Sequence, residues 1–103
     1  MIPVNYKKIL NNELQGVVLT ELDINNLINN DEVKPYLYLL SNIKNKIHNG
    51  YYISDVEWNF YIEKLLFLKS IIKTNNIDNK FKSLFIKNIN KSLQFLNPLE
   101  YHS

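Results

Sequence analysis

Apolar side chains recur every three or four residues along most of the chain, the spacing that aligns one face of an α-helix. Tyr6, Ile9, Leu10 and Leu14 form the first set, in a segment from Pro3 to about Gln15. It ends at Gly16, a residue suited to the left-handed conformation that closes helices. Val17-Val18-Leu19 is a short apolar connector. Thr20-Glu21-Leu22-Asp23 then reads as a capping box in which Asp23 stands in for the usual glutamate. The short helix that follows uses Leu22, Leu27 and Ile28 and fades in Asn29-Asn30.

Three longer helices are predicted beyond it. Asp31 is the expected N-cap of the next, and Pro35 is tolerated there because first-turn N–H groups have no helical acceptor. Val33, Tyr36, Leu37, Leu40, Ile43 and Ile47 make its continuous apolar stripe, which stops at Asn49-Gly50. The clearest start in the chain comes next. Ser54 as N-cap and Glu57 three residues on form a capping box, bracketed by Ile53 and Trp58 as a hydrophobic staple. Asp55 adds negative charge where the helix dipole favours it. Tyr61, Ile62, Leu65, Leu66, Leu68 and Ile72 continue this helix with a wide apolar arc, expected of a central element packed on more than one neighbour. After the break at Thr74-Asn75-Asn76, a last helix runs from about Asp78 to Leu96. Its inward positions are Phe81, Leu84, Phe85, Ile89, Leu93 and Leu96, and Asn97-Pro98 ends it.

No strand-like alternation, repeat or flexible linker interrupts this series. Short loops between long helices place them antiparallel, so the expected fold is all-α, a compact antiparallel bundle of four to five helices forming a single domain over residues 1–103. A hydrophobic content of 46% supplies enough apolar surface for a packed core. The absence of cysteine excludes disulfides and thiolate metal sites. The first residues lack the charged and apolar regions of a signal peptide, and no apolar run approaches a membrane span, so an intracellular, cytoplasmic protein is expected.

The chain also lacks alanine and arginine, while Asn, Ile, Leu and Lys dominate. Codon usage in an AT-rich genome, microbial or viral, accounts for this pattern. Its physical consequence concerns recognition, because arginine reads phosphate and guanine with two parallel bonds whereas lysine acts as a point charge. Net charge is only +2, yet it is unevenly placed. Residues 11–33 hold Glu13, Glu21, Asp23, Asp31 and Glu32 with no lysine, whereas residues 64–91 hold seven lysines against Asp78 alone. Lys80, Lys87 and Lys91 fall within about 40° of one another on the last helix. With Lys73 and Lys69 they form a candidate basic face for nucleic acid or an acidic partner. The plainer reading is a solvated helix face.

Chemistry is sparsely represented. His48 sits in the last turn of a helix, where the dipole favours an imidazolium, and His102 lies near the C-terminus; neither belongs to a metal-binding spacing. Capping explains Asp55 and Glu57, and surface pairing suits Glu63. Two glycines cannot build a phosphate-cradling loop, and no serine has a nucleophile context. No cofactor motif is present.

The aromatic residues are the better candidates. Tyr51 and Tyr52 lie in the loop before Ser54, near Ile53, Trp58, Phe60 and Tyr61, while Tyr36 and Tyr38 occupy different faces of their helix. Exposed Tyr and Trp suit interface hot spots, and the competing reading is that these rings fill an alanine-free core. These observations point to a non-enzymatic module that binds another protein by surface occlusion through Tyr51, Tyr52, Tyr38 and Trp58. An inhibitor, immunity protein, anti-defence factor or adaptor would act in this way. Nucleic-acid binding through the lysine stripe is the alternative, and the wide apolar arc of the Ser54 helix also permits self-association.

Overall fold

Side-chain caps decide where the helices begin. The computed structural model describes residues 3–50 and 52–96. Among them the chain is all-α, with five helices and no strand: α1 (Tyr6–Glu13), α2 (Glu21–Ile28), α3 (Val33–His48), α4 (Asp55–Lys73) and α5 (Asn79–Leu96). The helical class and number are those the apolar spacing predicts. Tertiary contacts gather the helices into two units, Met1–Tyr51 with α1 to α3 and Tyr52–Ser103 with α4 and α5.

The Thr20 box is complete: Asp23 N–H donates to Thr20 Oγ1 and Thr20 N–H donates to the Asp23 carboxylate, both at 3.1 Å. Ser54 Oγ likewise accepts from Glu57 N–H at 3.3 Å, and Asn5 Oδ1 caps α1 by accepting from Lys8 N–H at 3.1 Å. The start of α3 corrects the sequence reading. Asn30, not Asp31, supplies the capping oxygen, accepting from Glu32 N–H at 3.0 Å and Val33 N–H at 3.2 Å. An Asx oxygen two and three residues upstream reaches both donors, and that role leaves Asp31 exposed in the turn. Gly16 (φ 89°) and Gly50 (φ 68°) occupy the left-handed stops after α1 and α3.

In the first unit Leu10, Leu14, Ile24, Leu27, Val33, Tyr36, Leu37, Leu39, Leu40 and Ile43 are buried. Two expected core residues are not. Leu22 is 69% exposed, because α2 turns Ile24 and Leu27 inward and a residue two before Ile24 falls on the opposite side. Ile47 is 44% exposed, and Leu39, absent from the predicted stripe, is buried. Eight-residue α1 and α2 are each about 12 Å long, against about 24 Å for sixteen-residue α3, so neither spans its whole length.

The second unit is a helical hairpin. Its short turn is fixed by Asn75 Oδ1 accepting from Ile77 N–H at 3.0 Å and Asp78 Oδ1 accepting from Lys80 N–H at 3.1 Å. Tyr61, Ile62, Leu65, Leu68 and Ile72 of α4 are buried, as are Phe81, Phe85, Ile89 and Leu93 of α5. Leu84 and Leu96 are half-buried, and Leu66 is 38% exposed, outside the inward face assigned to it. The predicted stop at Asn97-Pro98 lies outside the described residues.

The core of the first unit takes in a phenol whose hydroxyl links two helices. Tyr36 is fully buried on α3, and its hydroxyl donates to Glu13 Oε1 at 2.5 Å, tying α3 to the end of α1. Burial, reinforced by the charge of Glu13 and by this hydrogen bond, holds the phenol pKa well above its ordinary value. The stabilisation linked to this group is present at all pH values below the ordinary tyrosine pKa and is lost as pH rises through the folded-state pKa. Tyr36→Phe should therefore lower stability by about 1.5–3 kcal/mol at neutral pH, the range for a hydrogen bond to a charged group. The variant should also show a shallower loss of stability in the alkaline range. Urea denaturation at neutral and alkaline pH reads both effects.

Candidate functional site

Helix α4 has more apolar residues than one buried face can hold. Its inward side is set by Tyr61, Leu65, Leu68 and Ile72, at intervals of three and four residues. Val56, Phe60, Glu63 and Phe67 recur at the same intervals and fall within about 60° of one another, on the opposite side. Val56 is 78%, Phe60 51% and Phe67 60% exposed. Thus two aromatic rings and a branched aliphatic chain form an outward stripe, with the Glu63 carboxylate set within it. Lys64 edges the stripe, its Nζ 5.7 Å from the centroid of the Phe60 ring. Phe60 also meets Tyr61 edge-on, with ring centroids 5.9 Å apart, so the outward aromatic is braced by an inward one.

The wide apolar arc seen in the sequence is therefore two arcs, one buried and one exposed. Tyr52, one of the expected anchors, is 86% exposed just before Ser54, whereas Tyr51 lies outside the described residues. Trp58 is half-buried, and Ile53 of the predicted staple is buried. Tyr38 is 50% exposed on α3, while Tyr36 on the opposite face is in the core. Tyr38 borders a cavity of about 360 Å³ with Tyr6, Asp31, Lys34 and Pro35, where Lys34 Nζ stands 5.4 Å from the centre of the Tyr6 ring. Phe60 and Phe67 are the residues that a search for exposed aromatics in loops passes over. Their signal is the second helical stripe, offset from the first by half a turn.

The basic residues separate into distinct settings. On α5, Lys80, Lys87 and Lys91 are exposed, as is Lys73 on α4, while Lys69 is half-buried. Lys87 and Lys91 border one shallow depression of about 650 Å³ together with Lys82, Ser83, Asn90 and Gln94. Lys80 lies instead over its neighbour Phe81, 5.1 Å from the ring centre. The cluster around the depression is thus Lys82, Lys87 and Lys91, and α5 carries no carboxylate.

Among the described residues no group of three or more His, Asp or Glu side chains is placed to hold a metal ion. No helix among them is long and apolar enough to cross a membrane. Comparison of the chain with protein-family models, curated proteins and solved structures finds no match.

The outward stripe should contribute little to folding. Phe67→Ser is expected to change stability by no more than about 0.5 kcal/mol, as for surface positions. Leu65→Ala, at a fully buried position on the same helix, should cost about 2–5 kcal/mol. Parallel urea titrations of the two variants test the contrast.

Proposed function

We propose that the protein acts by binding another protein, with the outward face of α4 as the docking surface and Tyr52 at its edge. The observation that carries this reading is the exposure of Val56, Phe60 and Phe67 in a single stripe. Side chains of this size are normally withdrawn from water, since each is worth about 1.5–3 kcal/mol when fully covered. Aligned on a rigid helix, they form a preorganised strip that loses little conformational entropy on contact. Its chemistry defines the partner: an apolar groove or helix face, bearing a cation opposite Glu63 and an anion or carbonyl oxygen opposite Lys64. Binding of this kind would occlude a surface of the partner, as an inhibitor, immunity or anti-defence factor, or adaptor does. No reactive side chain of the chain needs to take part.

A second reading rests on α5, where Lys82, Lys87 and Lys91 border one depression on a helix without carboxylates. Such a face would follow a phosphate backbone by charge alone, with affinity falling steeply as salt rises.

Affinity capture from the source cell, with and without nuclease treatment, separates the two. The docking reading expects capture that survives nuclease and is lost on Phe60→Asp or Phe67→Asp, with folding retained by circular dichroism. Each substitution should weaken binding at least about tenfold, the effect expected of a central interface residue. Capture that vanishes with nuclease, or on Lys87→Glu with Lys91→Glu, would transfer the function to α5. Light scattering of the purified chain completes the test. A dimer broken by Phe67→Asp would identify the partner as a second copy.

A further inference from the structure

A different surface, in the first unit, has the chemistry of an anion receptor. Asn5, Lys8, Ile9 and Asn12 stand at intervals of three, one and three residues, which aligns them on one side of α1 and its cap. Ser41, Lys44, Asn45 and His48 repeat the same spacing on α3. The two rows face a common cavity of about 390 Å³, which Pro3 also lines. Three side chains that bear or can accept a positive charge, Lys8, Lys44 and His48, thus line one space together with three carboxamides and a hydroxyl. No carboxylate lines it.

The neighbouring residues explain why these cations are available. Lys7, adjacent to Lys8, turns the other way and pairs with Glu21 of α2 at 3.7 Å. Glu13 is engaged by Tyr36 on another side of α1. Glu13, Glu21 and Asp23 are thus engaged elsewhere, and none of the carboxylates of residues 11–33 lines the groove. Among the described residues Lys8 and Lys44 form no ion pair. The sequence hides this cluster, since Lys8 and Lys44 are 36 residues apart and the intervening stretch is acidic.

We infer that the groove between α1 and α3 binds a small diphosphate-bearing molecule, with Lys8, Lys44 and His48 as its charge partners and Asn5, Asn12 and Asn45 donating amide N–H groups to phosphate oxygens. Lys44 and His48 are one turn apart, a rise of about 6 Å along the helix, and Lys8 lies across from them. Cations on both rows can contact two linked phosphoryl groups at once, Lys44 and His48 from one side and Lys8 from the other. The volume exceeds that of a single phosphate, and lysine is a competent phosphate partner as a point charge. The site makes no use of the α4 stripe, so it stands or falls independently of the proposed docking function.

The test is titration of the ¹⁵N-labelled full chain with inorganic pyrophosphate at low salt, followed by NMR. Saturable shifts centred on Asn5, Lys8, Asn12, Lys44, Asn45 and His48 are expected. They should be absent with sulfate at equal ionic strength. Lys44→Glu should weaken the apparent affinity by at least about tenfold, corresponding to loss of one charge-assisted contact. Lys44→Arg, which keeps the charge, should retain most of it, and Lys91→Glu on α5 should have no effect. An unchanged amide fingerprint outside the groove shows that each variant is folded. The inference is overturned by the lack of saturation up to about 10 mM pyrophosphate, a limit beyond which binding would be negligible. Equal responses to sulfate and pyrophosphate would also overturn it, as general screening, and so would shifts centred on the α5 lysines.

Discussion

The lack of alanine constrains every helix contact in this chain. Two helices approach closely when small residues lie between them, and with larger side chains their axes stand further apart. Here the buried positions are filled almost entirely by Leu, Ile, Val, Tyr and Phe. Bulk on that scale fills a core readily and widens the spacing between helix axes. The groove between α1 and α3 and the cavity beside Tyr38 are both lined by Asn and Lys, the polar residues this composition favours. The same surplus of large apolar residues accounts for α4, whose buried face is complete without Val56, Phe60 and Phe67.

The outward face of α4 and the groove of the first unit differ in their physics. The α4 stripe is apolar with one carboxylate within it and one ammonium at its edge, so contact there would be driven by removal of apolar area and selected by two charges. The groove in the first unit is lined by polar side chains apart from Pro3 and Ile9 and carries no carboxylate, so occupancy by an anion there would depend on charge and on salt. Lysines on α5 form a third setting, open and shallow, where attraction to polyanions would be general. A near-neutral net charge of +2 conceals this partition.

Local features were the most legible in the sequence. The Thr20 and Ser54 caps, the glycine stops and the helical spacing each depend on residues within one turn of each other, and the structure has them where the residues imply. Errors arose where two local solutions compete. Asn30 and Asp31 are both good capping residues, and the choice depends on how the chain turns into α3. Leu22 and Ile24 are both apolar, and only packing decides which side of α2 faces inward. On α4 the periodicity identified a wide arc but could not divide it, because separating a buried from an exposed stripe requires knowing where α5 lies. The groove was illegible for a stronger reason: its two rows meet only through tertiary contact, across an acidic stretch of sequence.

The Tyr36–Glu13 hydrogen bond bears on the groove in a way that packing alone does not. An eight-residue helix is too short to persist in water without tertiary support. Leu10, Leu14 and this hydrogen bond hold α1 against α3, and α1 provides Lys8, Ile9 and Asn12 to the lining of the groove. The receptor surface therefore exists only while α1 is docked, so its formation belongs to the same local equilibrium as the ordering of the chain's first helix. A ligand spanning both rows would act as a clasp, drawing the amino-terminal segment from a frayed into a folded population and turning occupancy into a change in the order of the backbone.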